Sequence, residues 1–324
     1  MATSPTPPYR RRRLLALGGL LAVVVVLALI VVGSLALGGS GSGSGSGSAK
    51  APRAAHGGGG GGASAPRTTA TVAGPARDLG RPGPPRPVPI LMYHVIRDPF
   101  PNSPYPDLYV PRAQFQDEMQ ALKTAGYTAV TLQEVWDSWH TNGPLPAKPV
   151  VVSFDDGYTS HFKNAFPVLR ALGWPGVLNL ELKNIRSDYG LTGAQVRTLI
   201  AAGWEVDSHT IDHPDLTTVD AARLRYEIAQ SRAELKARFH IPVNFFCYPA
   251  GRYDAAAVAA VQAAGYLAAT TTQPGLAKPD EADRFTLNRV RVNNGVSGAT
   301  LVAQLAGLAA GGSAGTGGSG GGAG

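Results

Sequence analysis

Short apolar runs alternate with longer amphipathic ones between residues 88 and 310, and several of the short runs stop on polar residues. Val150–Phe154 is the clearest: three valines, a serine and a phenylalanine run straight into Asp155-Asp156-Gly157. Five β-branched and aromatic-rich residues are too few for a helix and well suited to a strand. Their apolar character on both faces suits a strand inside a parallel sheet. Six further strands are predicted at Val88–Tyr93, Gly176–Leu180, Trp204–Asp207, Val243–Cys247, Tyr266–Thr271 and Phe285–Val292. Between them fall helical segments. Ala113–Ala125 carries Phe115, Met119 and Leu122 at helical spacing and is closed by Gly126. Phe162–Leu172 stops at Gly173, and Thr192 caps a helix that runs to Ala202. Residues 218–239 form a long charged helix, followed by Asp254–Ala264 and Ser297–Ala310. Repeated strand–helix units imply parallel strands covered by helices, here a distorted (β/α) barrel of about seven units. The rim where such strands end is where barrel chemistry sits.

Composition matters here because the net charge of +7 points toward nucleic acid until it is divided along the chain. Residues 1–89 hold ten basic residues and one acid, Asp78, which leaves 19 basic and 21 acidic residues in 90–324. The folded part is therefore slightly acidic, and no nucleic-acid partner is expected. Of the 41 glycines, 18 lie in 1–89 and 9 in 311–324, so glycine is at ordinary globular frequency between these flanks. The single cysteine, Cys247, allows no internal disulfide and reads as a small buried residue beside Phe245 and Phe246.

The N-terminal flank has its own logic. Arg10–Arg13 precede Leu14–Leu37, 24 residues without charge or proline. That length crosses about 30 Å of hydrocarbon, and Ser34–Leu37 is a poor cleavage site. Residues 14–38 are read as a single transmembrane anchor, with a cleaved signal as the alternative. The arginines then place 1–13 in the cytoplasm and the rest outside. The domain is thus expected at the cell membrane on its outer side, or secreted if the segment is removed. Residues 39–87 read as a disordered Gly/Ser/Pro-rich linker, 88–310 as the globular domain, and 311–324 as a disordered tail.

Two polar clusters carry candidate chemistry. Asp155 and Asp156 end a buried strand, where adjacent carboxylates repel and a cation would relieve them. One can then hold a metal while the other faces a substrate. His209 and His213 are four residues apart, a spacing that suits one ion. Asp156, His209 and His213 together make a two-histidine, one-carboxylate set with open positions, suited to Zn²⁺ or a related divalent cation. Taken alone, an Asp-Asp-Gly turn is more often just a polar turn, and two histidines at this spacing more often lie on the surface without a metal.

Four stretches together go further: Ile90-Leu-Met-Tyr-His94, Ser153-Phe-Asp-Asp-Gly157, Ser208-His-Thr-Ile-Asp-His213 and Phe246-Cys-Tyr-Pro-Ala-Gly251. In this order they resemble the polysaccharide deacetylases of carbohydrate esterase family 4, the NodB homology domain, over roughly 88–292. The early Met-Tyr-His resembles the branch that acts on poly-N-acetylglucosamine. The resemblance implies a distorted (β/α) barrel and metal-dependent hydrolysis of N-acetyl groups on a surface or cell-wall N-acetylhexosamine polymer. It makes Asp155 the general base, Asp156, His209 and His213 the metal ligands, and Tyr248, Pro249, Ala250 and Gly251 the stretch whose backbone meets the substrate or oxyanion. It implies Zn²⁺, with Co²⁺, Ni²⁺ or Fe²⁺ as alternatives; the chain is expected to be a monomer. Two departures stand out. Many members carry an Arg that orients the base where this chain has Cys247. Many also carry a late Leu-x-His acid, whereas the last histidine here is His240. His94 is the natural substitute as the acid. An O-acetyl esterase on xylan-type glycans and a silent glycan-binding module are the rival readings.

The remaining residues have plainer expectations. His161 and Lys163 are expected to face solvent, His240 to close its helix, and Trp136, Trp139, Trp174 and Trp204 to pack in the core. Tyr158 is open between sugar contact and packing, Asp212 between supporting the histidines and exposure, and Asp207 is a candidate support for His209.

Overall fold

A computed structural model describes residues 77–311 of this chain. The anchor at 14–38, the linker up to residue 76 and the tail beyond residue 311 lie outside the described residues.

Eight strands form one parallel sheet: β1 (Ile90–Tyr93), β2 (Thr128–Val130), β3 (Pro149–Phe154), β4 (Val177–Leu180), β5 (Glu205–Ser208), β6 (Phe245–Cys247), β7 (Ala268–Pro274) and β8 (Leu287–Arg291). The order β1-β8-β7-β6-β5-β4-β3 closes on itself through β1–β3 pairing, with Ile90 opposite Val151 and Tyr93 opposite Phe154. Seven strands therefore make the barrel, and β2 is an eighth beside it. β2 pairs with the start of β3 at 149–151, while β4 takes over along the same edge at Ser153 and Phe154.

The helices are α1 (Arg112–Thr124), α2 (Leu132–His140), α3 (Phe166–Leu172), α4 (Gly193–Ala201), α5 (Ala221–Arg225), α6 (Ser231–Phe239), α7 (Ala255–Ala263) and α8 (Gly298–Ala309). Local chemistry sets their ends. Thr131 with Glu134, and Thr192 with Gln195, form capping boxes. Asp220, Asp254 and Ser297 each accept from the N–H three residues on, and Gly173 stops α3 in the left-handed conformation. The helix predicted over 218–239 is real from Ala221 but passes through a π-helical turn, Tyr226–Gln230, between α5 and α6. β2 and α2 are absent from the sequence prediction. A three-residue strand has too little periodicity to show, although Thr131-x-x-Glu134 was a legible cap.

Strand alternation divides the core in two. Leu91, Val152, Leu178, Val206, Phe246 and Val290 join Phe115, Met119, Leu169, Leu199, Val261 and Leu301 from the helices. Ile90, Val151, Val177, Phe245, Ala268 and Leu287 form a second cluster, floored by Leu132, Val135 and Trp139 of α2. Two residues further along the same strand faces come Met92, Ser153, Asn179, Asp207, Cys247 and Arg289, all buried. The barrel interior thus passes from apolar at the floor to polar toward the rim. Residues 77–87 lie along the floor: Arg77 pairs with Glu134 at 2.7 Å, and Trp139 Nε1 donates to the Arg86 carbonyl at 2.9 Å.

Candidate active site

Asp155 follows β3 directly, and its carboxylate is buried at the top of the barrel. Arg289 of β8 holds it with both prongs, Nη1 donating to Oδ1 and Nη2 to Oδ2, each at 2.8 Å. Asn179 of β4 donates to Oδ1 at 2.7 Å. Arg289 is itself buried and anchored, since its Nε donates to the Thr271 carbonyl at 2.7 Å. Burial alone would raise the Asp155 carboxyl, but the Arg289 charge and hydrogen bonds outweigh it and hold it well below the usual carboxylate range. Arg289 is the functional residue that sequence reasoning missed. In Phe285–Val292 it reads as a polar position of an alternating strand. Only closure of the barrel turns that face inward, toward β3.

Asp156 takes a left-handed conformation, φ 73°, and so points away from its neighbour. The next residue, Gly157, is left-handed too, and a Cβ there would collide with the Leu180 side chain. Of the seven described non-glycine residues with positive φ, four sit in the loops of this site: Asp156, Thr210, His213 and Ala250. Each costs on the order of 1–3 kcal/mol, so the surrounding contacts must hold them.

Asp156 Oδ1 lies 3.5 Å from His209 Nε2 and 3.7 Å from His213 Nε2. The edge of a tetrahedron with bonds of about 2.1 Å is about 3.4 Å, so the spacing fits one small cation. His209 Nδ1 bonds the Cys247 carbonyl at 2.7 Å, which leaves Nε2 free to ligate. Burial pushes His213 down to about 4, with the neighbouring His209 acting in the same direction. A second cluster, Asp155, His209 and Cys247, is also close-set. It is the poorer site, because Arg289 and Asn179 already occupy the Asp155 oxygens. Glu227, fully buried in the π turn, steadies the loop: its Oε2 accepts from Ile211 N–H at 2.8 Å and Asp212 N–H at 3.1 Å.

His94 follows β1, and its Nε2 stands 3.8 Å from Asp155 Oδ2, too far for a direct hydrogen bond. Burial lowers its pKa, and the two aspartates pull the other way. In the stretch Tyr248–Gly251, Tyr248 N–H bonds the Thr270 carbonyl and Gly251 N–H bonds the Tyr248 carbonyl, while Pro249 has no N–H. Ala250 alone keeps a backbone donor that no described group takes.

One of the plainer expectations is corrected and several others hold. His161 does not face solvent. It is fully buried against Phe154, and its Nε2 donates to the His94 carbonyl. Burial brings it down to about 4. Lys163 is exposed as expected. Asp207 does not touch His209; it accepts from Phe245 N–H at 3.3 Å and lies beside Glu205. Asp212 is half-exposed and pairs with Arg223. Tyr158 stands beside Asp156, and His240 ends α6 in the left-handed conformation. Trp139, Trp174 and Trp204 are buried and Trp136 is partly so.

Comparison with known proteins agrees with this geometry. The sequence profile described as polysaccharide deacetylase matches residues 142–269. The chain is 33% identical over 221 residues to YxkH of Bacillus subtilis, named for the same family, covering 68% of this chain and 77% of that protein. It is 22% identical to the poly-β-1,6-N-acetyl-D-glucosamine N-deacetylase of Escherichia coli K12, over 64% of this chain but only 37% of that longer protein. Among solved structures, the Streptococcus pyogenes deacetylase PplD in complex with acetate superposes with a TM-score of 0.63 at 26% identity, covering 68% of this chain and 98% of that one. A Bacillus cereus polysaccharide deacetylase gives 0.61 at 29% identity, covering 68% and 69%. With a barrel whose rim joins Asp155, Asp156, His209 and His213, and with a relative of this identity and coverage, the chain belongs to the polysaccharide deacetylase family and is a hydrolase of that family.

Proposed function

We propose that this enzyme removes N-acetyl groups from an N-acetylhexosamine polysaccharide in a metal-dependent reaction. The observation that carries the reading is the pairing of one carboxylate set between two histidines, Asp156, with one clamped carboxylate, Asp155 under Arg289. Asp156, His209 and His213 would hold a divalent cation, with Zn²⁺ the best match to one oxygen and two imidazole donors. When bound, the cation supplies a Lewis acid for the acetyl carbonyl and acidifies the attacking water.

The chain's own residues do the rest. Asp155 Oδ1 is engaged by Arg289 and Asn179, so Oδ2 keeps the freer lone pair, on the side of His94. Oδ2 takes the proton of the attacking water as oxygen adds to the acetyl carbon. The Ala250 N–H donates to the carbonyl oxygen as charge builds on it. The proton that Oδ2 takes passes to His94 Nε2, 3.8 Å away, and His94 gives it to the sugar nitrogen as the C–N bond breaks, releasing acetic acid and a free amine. The names of the poly-N-acetylglucosamine relatives and the early Met-Tyr-His94 support that polymer, with peptidoglycan-like and chitin-like chains as the neighbouring class. The same proposal holds the domain outside the membrane as a monomer on residues 14–38, supported by Arg10–Arg13 before an uncharged apolar run.

The test is acetate release by the full-length protein from N-acetylglucosamine oligomers and from acetylated xylan, with and without a chelator. Chelator-sensitive release from the oligomers is expected. Release from xylan alone makes it an esterase, and no release from either refutes the enzymatic reading.

A further inference from the structure

Glu181 is a buried carboxylate that the proposed reaction does not use. It follows β4 directly. Its chain neighbours Leu180 and Leu182 are buried in the cluster that packs against the helices. Strand alternation therefore turns Glu181 the other way, toward the barrel mouth, two residues beyond Asn179 on the same face. The main chain sets what it meets there. His209 N–H bonds the Leu180 carbonyl at 3.1 Å and Leu182 N–H bonds the Thr210 carbonyl at 3.2 Å, so Glu181 is held alongside His209. Lys183 N–H bonds the Ile211 carbonyl at 2.8 Å and carries the pairing further along the histidine loop.

Nothing in the described chain neutralises this carboxylate. Glu181 is 8% exposed, yet among the described residues no donor bonds its carboxylate and no ion pair reaches it. Burial and the Asp156 charge both work against its ionisation and push it up to about 7, while His209 and Lys183 act in the opposite direction. A buried carboxylate in that setting is costly unless a positive charge faces it. Asp155 has Arg289 for that purpose. The other cations near the mouth, Arg291 and Lys183, are exposed to solvent.

We propose that Glu181 is the second negative charge of the cation site: it favours a divalent ion at Asp156, His209 and His213 by its charge, without being one of the ligands. The charge count fits a divalent ion. Arg289 cancels Asp155, and histidines ligate as neutral imidazoles, which leaves Asp156 and Glu181 against two positive charges. Glu181 belongs to neither of the two close-set ligand groups among the described residues, so it takes no coordination position from water or substrate. A group that stands behind the ligands in this way tunes affinity while the ligand set stays unchanged. The inference rests on the metal-dependent reading, and its test reads binding and melting instead of turnover.

The test is Zn²⁺ binding by the full-length protein, read by competition with a chromogenic chelator, together with melting in chelator and in excess Zn²⁺. Glu181→Gln keeps the shape and removes the charge. It should bind Zn²⁺ about 10–100-fold more weakly, and its gain in Tm on adding Zn²⁺ should shrink accordingly. In chelator it should melt no lower than the unsubstituted protein, because an unneutralised buried charge is gone. Glu181→Asp, which restores the charge, should recover most of the affinity. The loss in Glu181→Gln should persist in about 0.5 M salt, since a buried charge is screened little. A glutamine variant that binds as tightly as the unsubstituted protein, melts lower in chelator, or loses its defect in salt overturns the inference. An unsubstituted protein that binds no Zn²⁺ refutes the metal-dependent reading as well, whereas equally tight binding by both proteins refutes this inference alone.

Discussion

Arg289 on β8 and Asp155 at the end of β3 form a two-pronged ion pair, 2.8 Å on each side, with both groups buried. A lysine cannot reproduce that fork. Arg289→Lys is expected to lower kcat about a hundredfold, since an untethered base loses its alignment. Arg289→Met should cost about 3–5 kcal/mol in denaturant unfolding, because it strands a buried carboxylate. Adding Asp155→Asn should recover part of that loss. A double variant as unstable as the single one would show that Asp155 is not the group being stranded.

Glu227 bears on the histidine loop from a distance. Glu227→Ala removes the acceptor for two backbone N–H groups beside His213, at about 1–3 kcal/mol of stability. Zn²⁺ affinity should fall by about 10–100-fold, read by competition with a chromogenic chelator. Unchanged affinity would mean that His213 holds its place without this support.

His161 reaches the site only through the His94 backbone. His161→Phe keeps an aromatic ring against Phe154 and Tyr158 but gives up the bond to the His94 carbonyl. A several-fold fall in kcat with KM unchanged is expected. A rise in KM alone would assign His161 to substrate binding instead.

Glu118 links stability to pH. Burial pushes its carboxyl up to about 7, against the opposing bonds from Gln114 and the Tyr93 hydroxyl. With the unfolded value near 4.5, the native state binds the extra proton between about 4.5 and 7. Stability from this residue is therefore full below that window and falls as pH rises through it, by about 3 kcal/mol in all. Glu118→Gln should flatten the fall in Tm between pH 5 and pH 8. A slope that survives the substitution would place the linkage elsewhere, the Glu205–Asp207 pair being the next candidate.

Much of this site is legible in the sequence because it is local. Asp155-Asp156-Gly157 and His209-x-x-x-His213 carry their own spacing, and the valines before the aspartates announce the strand that presents them. What is not legible is set by closure. Arg289 lies 134 residues from its partner, and nothing in Leu287–Arg291 says which face turns inward. His161 misleads for the same reason: polar residues after a turn usually meet water, but β1 runs beside β3 and puts the His94 carbonyl within its reach. β2 was lost to brevity, its three residues leaving no period to read.

What Cys247 delivers to the site is its carbonyl oxygen, 2.7 Å from His209 Nδ1. Every amino acid has that oxygen. With Arg289 holding the base from another strand, the side chain at 247 has only a volume to fill. A different small apolar residue at 247 would present the same oxygen to the imidazole, so the chemistry of this position is carried by the main chain and not by the side chain.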